Sequence, residues 1–200
     1  MQLIALVGAD GLGKSTQARR LVGRLAEEGH RAACVRPVFV LFDPWRLRGD
    51  GAIRSLSPRT IRTRGRRRPG PLRALLGYVY AVATYAVLRT AHRRTDYVVC
   101  DRYFYQYFYD LYGPRARGLA RAFPRPDLTV WLDGSLDTVL SRVDETSMDV
   151  REKEYFKDVL GFYRGIAGEL RFVRVDASDD ERAVSERIWD ALGEVRGRGG

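Results

Sequence analysis

Cysteine is scarce in this chain, long apolar runs are missing, and acidic residues nearly vanish from one stretch. The two cysteines, Cys34 and Cys100, are too few for a disulfide framework. Both fall in apolar, strand-like runs without metal-ligand spacing, which predicts reduced thiols and a cytoplasmic setting. The longest uncharged stretch, 74–88 between Arg73 and Arg89, is shorter than the roughly 18–20 residues a membrane-spanning helix needs, so no membrane association is expected. It reads instead as a helix buried in a core or at a subunit interface. The first apolar run, Leu3 to Val7, begins almost at Met1 and is too short for a signal core, so no N-terminal signal is expected. Between Pro44 and Arg73 there are ten arginines and one acid, Asp50, so this segment holds nearly all of the net charge of +10. It reads as a flexible, solvated insertion, as an arginine-lined pocket or lid for an anionic acceptor, or as a nucleic-acid contact. The last is the weakest, because the charge forms one segment with Trp45 its only aromatic.

What is present is an alternation of strands and helices. Apolar runs predict strands at 2–8, 32–40, 96–101, 127–133 and 171–176, and helices at 14–29, 71–94, 103–112, 135–144, 152–169 and 178–192. The runs at 97–100 and 128–132 are continuously apolar, as in a parallel sheet buried on both faces. Ser135 and Ser178 are expected to cap the helices that follow them, and Gly29 to end the first helix. Two hundred residues with 45% hydrophobic content suit a single domain spanning 1–200. Its expected fold is α/β, a doubly wound parallel sheet of about five strands with helices on both faces and ligands along the carboxyl ends of the strands.

The most specific pattern is G-A-D-G-L-G-K-S-T at 8–16. Gly8, Gly13, Lys14 and Ser15 fill the phosphate-loop spacing, with a strand before and a helix after. Backbone N–H groups of Gly8, Gly11, Leu12, Gly13 and Thr16 and the helix N-terminus would cradle a triphosphate. Lys14 would bring charge to the β/γ-phosphates and the Ser15 hydroxyl would ligate Mg²⁺. The strand V-V-C-D-R-Y at 98–103 ends in Asp101, a second candidate Mg²⁺ ligand. Arg102 follows, placed where a transferred phosphoryl group develops charge. Alone, a strand ending in Asp-Arg is often only a capped turn. Asp10, inside the loop, would repel phosphate unless it faces an acceptor or an arginine, or is simply a solvated turn residue.

These residues resemble the thymidylate kinases and their relatives among the nucleoside monophosphate kinases. The resemblance is carried by the acid at the loop's third position, by D-R-Y at 101–103, by P-D-L-T-V-W-L-D at 126–133 with the helix after it, and by R-F-V-R-V-D-A-S-D-D at 171–180. It implies a P-loop kinase fold and ATP-dependent, Mg²⁺-assisted phosphoryl transfer to a small-molecule acceptor. Lys14, Arg102 and lid residues would stabilise the transferring group, with Arg151 as the lid arginine and a lid at 144–152. It further implies that Asp10 contacts the acceptor's hydroxyl region, that Arg142 lies beside ATP, and that the helix at 72–92 forms a homodimer. Lys14→Ala is expected to remove turnover and spare the fold, as for a lysine on a surface loop.

The departures from the family pattern lie on the acceptor side. Of the run Thr-Arg-Glu-Pro after the second strand, Arg36 and Pro37 remain and the Glu does not. The arginine of the third helix is missing, with Tyr80 near its place. After Tyr103 the chain reads F-Y-Q-Y-F-Y-D-L-Y, which offers either a new acceptor pocket with Gln106 as its polar handle or, for most of its rings, core packing. Arg36, Arg102, Tyr103, Gln106 and Asp10 are therefore the candidate acceptor contacts. A rewritten acceptor site points to a nucleotide, nucleoside, sugar or natural-product hydroxyl. It leaves dTMP open if arginines of 44–73 take over the phosphate grip.

Overall fold

The computed structural model describes residues 1–37, 71–142 and 150–197; side chains at 71, 73, 74 and 150–152 lie outside that description, as do the arginine-rich segment and the expected lid up to 149. The elements run β1 (Gln2–Val7), α1 (Lys14–Glu27), β2 (Ala32–Val35), α2 (Pro71–Ala91), β3 (Tyr97–Asp101), α3 (Phe104–Tyr112), a 3₁₀ turn (Gly113–Arg115), α4 (Ala116–Ala122), β4 (Leu128–Asp133), α5 (Leu136–Arg142), α6 (Val150–Ala167), β5 (Val173–Asp176) and α7 (Glu181–Gly197). The five strands form one sheet in the order β2-β3-β1-β4-β5, and every pairing is parallel. β3 and β4 are buried at every position, as their unbroken apolar runs require when helices cover both faces.

The sheet order places the site. β1 lies between β3 and β4, so the chain leaves β1 toward one side of the sheet and later returns to the other. Ligands bind at the carboxyl edge beside such a reversal. Register pairs Leu6 with Asp101 and Val7 with Trp131, which sets the loop after β1 directly beside the end of β3.

Several local expectations are corrected. The helix α4 was not expected in 116–122, and β5 begins at Val173 rather than 171. The last helix is capped by Asp180, not Ser178: its Oδ1 accepts from the N–H groups of Arg182 at 2.8 Å and Ala183 at 3.1 Å. Ser135 does cap its helix, accepting from Thr138 N at 3.0 Å, and Gly29 takes the left-handed conformation expected of it, φ 83°. The aromatic run after Asp101 is mostly core. Phe104, Tyr105 and Phe108 are fully buried, and Phe104 and Phe108 pack around Phe123. α2 is two-faced. Gly77 lets it approach α3 so closely that a Cβ there would strike the Leu111 side chain, while Leu72, Leu75, Leu76, Val79 and Val82 are exposed.

Candidate active site

The loop after β1 is built around backbone, not side chains. Gly8 has φ 136°, and a Cβ at that position would run into the Leu132 carbonyl of β4, so only glycine lets the loop lie against the sheet. Gly13, φ 81°, precedes α1 without any side-chain cap, and the first turn of α1 carries no acid. The helix N-terminus is thus left open toward the loop, where its N–H groups and dipole favour phosphate.

Lys14 is not a surface side chain. It is 3% exposed, and its Nζ donates to the Ala9 carbonyl and reaches Asp10 Oδ1 at 3.4 Å. Burial lowers its pKa from 10.5 to about 8, against the pull of Asp10. The expectation that Lys14 sits on the surface is therefore wrong: the amine is buried against the Ala9 carbonyl and the Asp10 carboxylate.

Asp10 faces an arginine. Arg102 holds the Asp10 carboxylate through Nε at 3.1 Å and through Nη2. Arg102 adopts φ 73°, a left-handed conformation unusual for a residue with a side chain, and its N–H donates to Leu6 O at 3.1 Å. Such backbone strain, of order 1–3 kcal/mol, is characteristic of functional sites. Burial disfavours the charge on Arg102, but the Asp10 carboxylate more than offsets this and raises its pKa.

A second polar knot lies alongside. Asp101, 1% exposed, accepts from Ser15 Oγ at 2.7 Å and from Arg36 Nε at 3.1 Å, both on Oδ2. Arg36 Nη2 also donates to Asp101 Oδ2, and to Ser15 Oγ at 3.0 Å. Burial pushes the Asp101 carboxyl up; Arg36, Ser15 and Arg102 reverse this and hold it below the ordinary range. Its Oδ1 is buried with no hydrogen-bond partner among the described residues. A hydroxyl and a carboxylate with an unused oxygen are fitting ligands for a hard cation that takes oxygen ligands. Arg36 supplies positive charge where Mg²⁺ would sit against Ser15 and Asp101.

The remaining site residues divide. Arg142 joins Gly11, Leu12, Gly13 and Thr16 around a cleft that continues to Ala177 and Val184, the side of the loop away from Asp10–Arg102. Gln106 lies in a polar cluster with Asp110 and Tyr155. Tyr103 is placed in the core rather than at the cleft: it is fully buried, and its hydroxyl donates to Pro124 O at 2.7 Å. That correction follows from its position one residue past Arg102, where the chain turns under the sheet edge. Arg151 lies in the first turn of α6, and its side chain is outside the described residues. Asp110, Tyr155 and Gln17, which lines the Arg142 cleft and donates to Glu181 O at 2.8 Å, were not expected in the site. Tyr155 lies 49 residues from Gln106, and nothing in the local pattern joins them.

No protein-family model matches the chain. It is 27% identical to the thymidylate kinase of Thermomicrobium roseum over 98% of this chain and 96% of that one. It is 29% identical to the thymidylate kinase of a Synechococcus strain, covering 94% of each. It is also 28% identical to that of Methylococcus capsulatus, covering 88% of each. Coverage of this extent, with a phosphate loop, an Asp-Arg strand end and an all-parallel five-stranded sheet, makes the chain a thymidylate kinase-like P-loop kinase, an ATP-dependent phosphotransferase that works with Mg²⁺.

Proposed function

We propose that the protein moves the γ-phosphate of ATP to a small nucleotide-sized acceptor held beside Asp10 and Arg102, and that this acceptor differs from dTMP. The observation that carries the reading is the pairing of two preassembled clusters at one sheet edge. Lys14, Ser15 and Asp101 serve the donor, and the Asp10–Arg102 pair lies beside them, joined through the contact of Lys14 with Asp10. In the reaction an acceptor oxygen attacks the γ-phosphorus while the bond to the β-phosphate oxygen breaks and ADP leaves. Lys14 and Arg102 neutralise the charge that develops on the phosphoryl oxygens, where fixed donors act most strongly. Ser15 and Asp101 would hold Mg²⁺, which offsets phosphate charge. Asp10 orients Arg102 and meets the acceptor. Gly11, Gly13, Thr16 and Arg142 take the remainder of ATP.

The names of the relatives favour a second reading, phosphorylation of dTMP itself. The two separate in one assay. The protein is given ATP, Mg²⁺ and, in turn, each common nucleoside monophosphate and nucleoside, and products are resolved by mass spectrometry. Transfer to an acceptor other than dTMP, lost in Lys14→Ala, is expected. Exclusive transfer to dTMP would establish the second reading, and no phosphorylated product with any acceptor would refute both.

We further propose that the exposed stripe Leu72, Leu75, Leu76, Val79 and Val82 on α2 is covered by the same face of a second copy. These positions recur at helical spacing, and a contiguous apolar stripe of this kind is seldom left to water.

A further inference from the structure

One partly buried carboxylate on α3 has no part in the donor chemistry. Asp110, in the last turns of α3, is partly buried and its Oδ1 is clamped twice. Tyr155 Oη donates to it at 2.7 Å from α6, and Gln106 Nε2 at 3.2 Å from one turn earlier on α3. Gln106 Nε2 also reaches Tyr155 Oη at 2.7 Å, which ties the three groups together. Both lone pairs of Oδ1 are thereby engaged. Oδ2 has no hydrogen-bond partner among the described residues and is not sealed from solvent.

The place of this carboxylate matters as much as its bonding. It lies on α3, the helix that follows directly on Arg102, near enough for the charges of Asp10 and Arg102 to act on it. Burying a carboxylate is unfavourable unless its lone pairs are used. A carboxylate with one oxygen held by two donors and the other unpartnered and accessible is placed to receive a donor from a bound molecule.

We propose that Asp110 selects the acceptor: its open Oδ2 receives hydrogen bonds from an acceptor edge that presents two adjacent donors, an amide–amine edge or a vicinal diol. This rests on the phosphotransfer reading only in placing the acceptor beside Asp10–Arg102. A thymine edge meets Oδ2 badly. Its single ring N–H is flanked by two carbonyl oxygens, and one of them must then lie against a negative charge. A guanine edge offers a ring N–H next to an amino group, and a ribose offers two neighbouring hydroxyls. Sites with buried hydrogen-bonding groups discriminate strongly, because a mismatched ligand leaves them unpaired.

Three probes separate the two donor sources: dGMP has the amide–amine edge without the diol, UMP has the diol with a thymine-like edge, and dTMP has neither. Binding of each is measured calorimetrically to the full chain with Mg²⁺ and a non-hydrolysable ATP analogue. Wild type is expected to bind dGMP or UMP at least about tenfold more tightly than dTMP. In Asp110→Asn an amine replaces Oδ2 while an oxygen remains for Tyr155 and Gln106. The preference should then fall by about tenfold or reverse, with affinity for the ATP analogue unchanged. Tyr155→Phe, which loosens the clamp without touching the charge, should weaken it by a smaller factor, and serves if the first variant fails to fold. Equal or tighter binding of dTMP by wild type overturns the proposal, as does a preference that neither variant alters. If the preference follows Asp110 but no nucleoside monophosphate or nucleoside is phosphorylated, the phosphotransfer reading fails and the role of Asp110 in ligand choice stands.

Discussion

Asp110→Asn should make the protein more stable at pH 7.5 even as it disturbs acceptor choice. In the folded chain burial lifts the Asp110 carboxyl from 3.8 to about 6, and the nearby Asp10 adds to the effect; Tyr155, Gln106 and Arg102 pull the other way without restoring it. The other ionisable groups that bear on it are Tyr109, on its own helix, and Tyr163, on α6. At about 1.4 kcal/mol per pH unit, a rise of this size means that ionised Asp110 destabilises the fold by about 3 kcal/mol. The direction with pH is fixed. Well below pH 3.8 the group is protonated in both folded and unfolded chains, so it contributes no penalty. The penalty grows as pH climbs from about 4 to about 6 and is constant above that range. Asparagine removes the charge and keeps an acceptor for Tyr155 and Gln106. The variant should therefore melt about 6–12 °C higher than wild type at pH 7.5, given about 2–4 °C per kcal/mol for a chain of this length. At pH 4 the two should nearly coincide. Thermal unfolding followed by circular dichroism at both pH values decides it. A variant no more stable at pH 7.5, or one that gains as much at pH 4, would show that the carboxylate is not a stability penalty retained for function.

Other consequences concern the donor side and the α2 face. Arg36→Met leaves Asp101 buried without its main counter-charge, so the variant should lose about 3 kcal/mol in EDTA. It should regain part of that on adding Mg²⁺, to which wild type responds less; equal response of the two proteins in a thermal-shift series would remove Arg36 from the metal site. Since burial holds free Lys14 at about 8, and phosphate oxygens favour its charged form, ATP binding at pH 8.5 should take up protons and weaken as pH rises further. Calorimetry in two buffers of different ionisation enthalpy measures the uptake, and identical heats in both would contradict it. Val79→Glu should convert a dimer to a monomer in light scattering while helix content is kept, whereas a wild type that is monomeric at micromolar concentration would show that the α2 stripe is not a self-interface.

What could be read from the sequence divides along the cleft itself. The phosphate loop is legible because its chemistry lies in consecutive residues: Gly8 and Gly13 set the backbone, Lys14 and Ser15 follow, and a strand and helix flank them. Asp101 is legible because a buried strand must deliver its last residue to the sheet edge, and the register with Leu6 does so. The left-handed backbone of Arg102 is not legible, since no residue type announces it. Nor is the burial of Lys14, which depends on Ala9 and Asp10 folding over it. Tyr103 shows the opposite error, in which a family position was taken for a contact although a neighbouring carbonyl, Pro124 O, claims its hydroxyl. The Asp110–Gln106–Tyr155 cluster is hidden for a different reason. Its members sit in a run so rich in rings that helical packing explains nearly all of it, and the one carboxylate looks like an exposed helix charge until α6 is folded against it. Donor recognition depends on backbone geometry that a short motif can specify, because every ATP presents the same phosphates. Acceptor recognition depends on side chains brought together from α3 and α6. Departures from a family pattern can therefore point toward a different acceptor, but only the folded arrangement brings Asp110, Gln106 and Tyr155 together.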